Sequence, residues 1–184
     1  MRNKIKTLSW LIALSFVLGG CIAGKYKPAP NMADLEISFS DSLWTGKKIP
    51  AGQQCSMFGG NGATPALLVK NIPDGTNALI MEYSDRDYQP MNNGGHGKVG
   101  YNITSGIHQV TIPSIPGNTF DLPKDFFLVS AHQGTARGKA GAYMPPCSGG
   151  KGNLYVVKVK AVYEAPEVKE SQLLGEGNLT LGTY

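Results

Sequence analysis

The ten residues Leu154 to Tyr163 (LYVVKVKAVY) place Tyr155, Val157, Val159 and Ala161 on one side of an extended chain, with Lys158 and Lys160 on the other. Successive side chains of a strand point to opposite faces, so this alternation predicts a strand with one buried and one wet face. Residues 78–84 (ALIMEYS) are apolar on both faces apart from Glu82 and predict a central strand. Shorter runs of the same kind fall at 35–39, 66–70, 99–103, 108–112, 126–131 and 179–184. Between them lie turns and loops rich in the 24 glycines and 12 prolines, above all at 49–62, 71–75, 115–123 and 136–153. That punctuation predicts a mainly β domain with many loops. One helix is expected, at 166–174, with Pro166 at its start and Gly175 past its end.

The stretch from Ala78 to Tyr101 carries the most chemistry. Its apolar strand runs into Asp85 and Asp87, then Pro90, then a glycine-rich loop that holds His96. If the strand continues far enough, Tyr83, Asp85 and Asp87 share a face. Gly94 and Gly95 let the backbone turn tightly and return His96 towards the two acids. Asp87 equally suits a cap that accepts backbone N–H groups, and an exposed loop position is the lesser alternative for His96. Oxygen and nitrogen donors could hold a cation, but no second His or Cys stands at a fitting spacing. No metal and no cofactor is expected; His108 and His132 are read as structural or surface residues.

The N-terminus is set aside from the fold. Arg2, Lys4 and Lys6 precede an apolar run over 8–18, too short to span a bilayer and suited to the h-region of a signal peptide. It ends in Leu18-Gly19-Gly20-Cys21, which resembles the lipobox of bacterial lipoproteins. That resemblance implies cleavage after residue 20 and lipidation of Cys21, which would anchor the chain to a membrane without spanning it. Ile22 follows the Cys with no retaining Asp, which by the same resemblance implies the outer membrane of the cell envelope if the source is a two-membrane bacterium. Residues 21–34, with Lys25, Lys27, Pro28 and Pro30, are read as a flexible tether, and 35–184 as one domain.

Three of the 17 basic residues lie in the signal and none of the 13 acidic ones does, so the remainder is close to neutral. No basic run or basic face appears, and nucleic-acid binding is not expected.

Several motifs resemble the phosphatidylethanolamine-binding protein family, also called Raf kinase inhibitor-like proteins. Gly62 to Leu67 holds Thr64-Pro65 before an apolar strand, Ile72-Pro73-Asp74-Gly75-Thr76 forms a turn, and Asp85-Arg86-Asp87 is similar to the family's Asp-Pro-Asp signature. Pro90 follows, and His96 falls where the family has a pocket His. Tyr143-Met144-Pro145-Pro146 and Gly152-Asn153-Leu154-Tyr155 are similar to its second signature, with Asn153 in place of a His. The resemblance implies an antiparallel β-sandwich with short peripheral helices and a small pocket at one end. It implies that Asp85, Asp87, Pro90, His96, Pro145, Pro146, Asn153 and Tyr155 line that pocket. The ligand it implies is a small anion or a phospholipid headgroup, with His96 and Tyr155 donating to phosphate, and a partner protein at the rim is a further possibility.

With Cys21 given to lipid, Cys55 and Cys147 remain in an extracytoplasmic setting and are predicted to form a disulfide. Closing so long a loop would contribute roughly 4–5 kcal/mol on the chain-entropy picture. The chain is read as a lipid-anchored binding module rather than an enzyme. No nucleophile elbow or oxyanion-hole motif accompanies Asp85 and His96, which leaves a hydrolase as the weaker reading. A structural envelope lipoprotein with a vestigial pocket is the other alternative.

Overall fold

A computed structural model describes residues 26–134, 139–166 and 170–184. The signal over 1–20 and the lipidation site Cys21 lie outside the described residues. Among the described residues nine strands form two sheets. The larger has the order β1-β9-β8-β4-β5-β7, built from β1 (Lys27–Asp34), β9 (Gln172–Thr183), β8 (Leu154–Tyr163), β4 (Ala78–Asp85), β5 (Lys98–Asn102) and β7 (Phe126–Ser130). The smaller has the order β2-β3-β6, from β2 (Glu36–Phe39), β3 (Leu67–Lys70) and β6 (Gln109–Ile112). All pairings are antiparallel except β1 with β9.

One core joins the two sheets. Leu67, Val69 and Ile112 of the small sheet are fully buried together with Leu79, Met81, Val157, Val159 and Ala161 of the large one. This is the inward face that the alternation of β8 predicts. Apolar area removed from water contributes about 25 cal/mol per Å², so this two-sheet contact supplies most of the drive to fold. On the far side of the large sheet Ala78, Ile80 and Val162 are buried under Tyr26, Phe127, Val129 and Leu173. Hence β4 is apolar on both faces. Its one outward charge, Glu82, is paired with Lys160 at 2.8 Å and Lys98 at 3.5 Å.

Two expectations are corrected. Residues 27–34 are not a tether but β1, an edge strand with most side chains exposed. An edge strand tolerates Pro28 and Pro30, because an outward-facing N–H has no partner to lose, and its exposure erases the apolar signal. The predicted helix is overturned where it can be seen. Residues 167–169 lie outside the described residues, and Gln172 to Leu174 begin β9. Gly175 is not a helix stop; it is needed because an added Cβ would stand 2.8 Å from Ala33 O of β1. Among the described residues the only helical segments are two 3₁₀ turns, Ser56–Phe58 and Gln89–Met91.

Candidate functional site

Strands β4 and β8 lie side by side with Asp85 opposite Tyr155, at the end of the sheet where β4 stops and β8 starts. The loop after β4 turns through the 3₁₀ segment at Pro90 and returns along the strand end. Gly94 N donates to Ser84 Oγ at 2.8 Å, and His96 N donates to Tyr83 O at 3.0 Å. Gly97 follows with φ of +116°, and a Cβ there would collide with Ala142 O. Only glycine lets the two loops touch at that point. The second loop then pairs with the first through Met144 N and His96 O at 2.9 Å.

Asp85, Tyr88, Pro90, Met91, His96, Gln133, Gly134, Met144, Cys147 and Tyr155 line a hollow of ≈ 190 Å³ at this end. Two far-apart loops and two strands thus bring the acid, the imidazole and the phenol together. The remaining expected residues lie outside the lining. Asp87 is exposed, donating its N–H to Asp85 Oδ1 at 3.0 Å and accepting Leu154 N on Oδ2 at 2.7 Å. It caps the start of β8. Asn153 supports from behind, its Nδ2 donating to Asp85 Oδ2 at 2.8 Å. Pro145 packs on Gly62 and Gly117, and Pro146 O accepts Cys55 N at 2.9 Å. These prolines brace the loop from outside the hollow.

His96 is 3% exposed, and its ring meets that of Tyr155 edge-on with centroids 5.2 Å apart. Its Nδ1 lies 2.8 Å from Met144 O. A carbonyl can only accept, so Nδ1 carries the proton and Nε2 holds a lone pair. Burial pushes the imidazole down to about 4, although the Met144 carbonyl and Asp85 pull the other way. At neutral pH His96 is therefore an acceptor towards the hollow. The expected donation from His96 to a phosphate oxygen is corrected: its only N–H is already used. Tyr155 Oη accepts Cys147 N at 3.1 Å, and burial pushes its hydroxyl up to about 12.

Asp85 is 3% exposed and, among the described residues, is the only formally charged side chain in the lining, with no Lys or Arg beside it. Among the described residues no group of three His, Cys, Asp or Glu side chains gathers as a metal site. Cys55 and Cys147 form the predicted disulfide, with Cα atoms 5.2 Å apart across 92 residues of sequence. His108 and His132 hold backbone carbonyls, those of Ile72 at 3.0 Å and Lys139 at 3.1 Å.

The sequence reading missed Tyr88, Met91, Gln133, Gly134, Met144 and Cys147 as lining. Met91 and Met144 adjoin Pro90 and Pro145, residues already singled out, but an apolar side chain carries no site signal of its own. Gln133 and Gly134 follow β7 in a stretch without any motif, and Gln133 N donates to Gly95 O at 2.9 Å.

No protein-family profile matches the chain, and no curated protein is significantly similar to it in sequence. Solved structures do match. CT736 from Chlamydia trachomatis, described as a phosphatidylethanolamine-binding protein homolog, is 19% identical with a TM-score of 0.50, over 82% of this chain and 97% of that one. YbcL from Escherichia coli, described as a new member of the mammalian family, is 20% identical with a TM-score of 0.50, over 83% of this chain and 98% of that one. With two facing β-sheets and a hollow at the shared end of β4 and β8, the chain has the fold of the phosphatidylethanolamine-binding proteins.

Proposed function

We propose that this chain is a lipid-anchored binding module of the bacterial cell envelope whose hollow takes the amine end of a phospholipid-type headgroup. The observation that carries this reading is the polarity of the lining. It offers the Asp85 carboxylate and the His96 Nε2 lone pair, and among the described residues it holds no cationic side chain. A buried carboxylate favours a cation and repels an anion, so an ammonium group suits the hollow and a bare phosphate does not. A volume of ≈ 190 Å³ admits a group of ethanolamine size and leaves acyl chains outside. The anchor rests on the n-region, apolar run and Leu18-Gly19-Gly20-Cys21 of the sequence, and the outer membrane on Ile22 after the Cys. An oxidised Cys55–Cys147 pair suits an extracytoplasmic compartment.

Calorimetry on the purified full-length protein tests the reading. Phosphoethanolamine and free ethanolamine are expected to bind and inorganic phosphate is not. Asp85→Asn is expected to weaken ethanolamine by at least about tenfold, or 1.4 kcal/mol. Tight phosphate binding with no heat from ethanolamine would reverse the assignment. Silence with all three would leave a structural envelope protein.

A further inference from the structure

Part of the hollow is walled by sulfur. Met91 and Met144 both line it, both are buried, and they form one cluster with Cys55 and Cys147. Gly134 marks where the two thioethers end. A Cβ added there would collide with Met144 Sδ and stand 3.2 Å from Met91 Cε. The two methionine tips therefore meet at a single glycine of the wall, with no side chain of residue 134 in front of them. His96 is tied to the same place, since its Nδ1–H donates to the carbonyl of Met144 itself.

We propose that Met91, Met144 and His96 form a site for a soft monovalent cation, Cu(I) or its analogue Ag(I), with two thioether sulfurs and the imidazole Nε2 as ligands. Thioethers are soft donors that select Cu(I) over hard cations, and imidazole is a good ligand for copper. Metal-binding histidines commonly donate their second ring N–H to a backbone carbonyl, which fixes tautomer and ring orientation. The bond from His96 Nδ1 to Met144 O is that arrangement, already made. The cystine has no thiolate to offer, so the thioethers are the soft ligands left in the cluster. Neither they nor the neutral imidazole must lose a proton to bind. Asp85, in the same lining, balances the single positive charge. The site is a second use of the hollow and does not rest on the headgroup reading, because sulfur atoms contribute nothing to holding an ammonium group.

Silver nitrate titrated into the purified full-length protein in chloride-free buffer tests the site without any reductant that would touch the disulfide. One Ag(I) per chain is expected by native mass spectrometry. The Nε2 resonance of His96 is expected to shift in long-range ¹H–¹⁵N spectra while Nδ1 keeps its proton. Met91→Leu with Met144→Leu keeps side-chain volume, and a melting curve without silver reports whether the fold survives. This pair is expected to weaken Ag(I) by at least the roughly 10–100-fold that even outer partners of a metal site command, while Met57→Leu, at an exposed residue outside the hollow, retains binding. An unmoved His96 resonance at saturating silver overturns the site, on the unaltered protein alone. So does Ag(I) binding that survives the double substitution. Ethanolamine binding is read separately on the unaltered protein, so either ligand can fail without the other.

Discussion

The side-chain amide of Asn153 donates to Oδ2 of Asp85 at 2.8 Å, while Oδ1 of the same carboxylate accepts the N–H of Asp87 at 3.0 Å. The Asp85 charge in the hollow is thus held from behind by two neutral donors, one of them at the position where the family resemblance places an imidazole. An amide does not titrate, so this support does not change with pH. Asn153→Ala would leave a buried carboxylate oxygen short of a donor, at a cost of roughly 1–3 kcal/mol. The expected outcome is a lower melting temperature together with weaker ethanolamine binding. Equal binding by a stably folded Ala variant would show that Asp85 needs no such support.

Burial lowers the His96 imidazole to about 4 from an ordinary 6.5. As pH falls through 6.5 the unfolded chain takes up a proton that the folded chain refuses until about 4. The contribution of the neutral, buried imidazole is therefore complete above pH 6.5 and is lost between 6.5 and about 4. The loss amounts to roughly 3 kcal/mol at one unit per 1.4 kcal/mol. Urea unfolding at several pH values checks this: the protein is expected to lose stability across that window, and His96→Phe to lose less. A parallel decline in both would assign the acid sensitivity to other groups.

The Cys55–Cys147 bridge closes a loop of 92 residues that contains β4, β5 and β7 of the large sheet and β3 and β6 of the small one. Replacing both cysteines by Ser is expected to cost roughly 4–5 kcal/mol through the freed unfolded chain. Because Cys147 lines the hollow and its N–H donates to Tyr155 Oη, ligand affinity is expected to fall as well. Denaturant midpoints with and without reductant, read beside calorimetry, separate the two effects.

Gly97 sits at φ +116° with its missing Cβ aimed at Ala142 O. Gly97→Ala is expected to destabilise by roughly 1–3 kcal/mol from backbone strain alone, and more if the loops must part. Moving the second loop displaces Met144, so binding in the hollow should fail before the fold does. Gly106→Ala, where no atom lies within 4 Å but φ is also positive at +86°, serves as the comparison. Its smaller cost would isolate the collision from the strain.

Much of the scaffold was legible because the strands that matter bury one face or two. The alternation of β8 and the two-sided apolarity of β4 follow directly from their places in the large sheet. The strands that were missed or shortened lack that contrast. β1 is an exposed edge, and the first half of β9 carries glycines where its neighbours come too close for a Cβ. In the hollow, Asp85, Pro90, His96 and Tyr155 could be picked out because polar groups and prolines at strand ends stand out from an apolar run. Met91, Met144, Gln133 and Gly134 could not, since nothing local separates a wall residue from a core or surface residue. Asp87, Pro145, Pro146 and Asn153, expected in the lining, stand one layer back and act through hydrogen bonds and packing.

The pairing of β1 with the edge of the large sheet also limits how far this domain can travel. Lys27 is already bonded into that edge, so with Cys21 as the proposed anchor only six residue steps separate bilayer and sheet, a reach of at most about 20 Å when fully stretched. Under that proposed anchor, a domain on so short a leash would sample the lipid surface beneath it and very little of the space beyond.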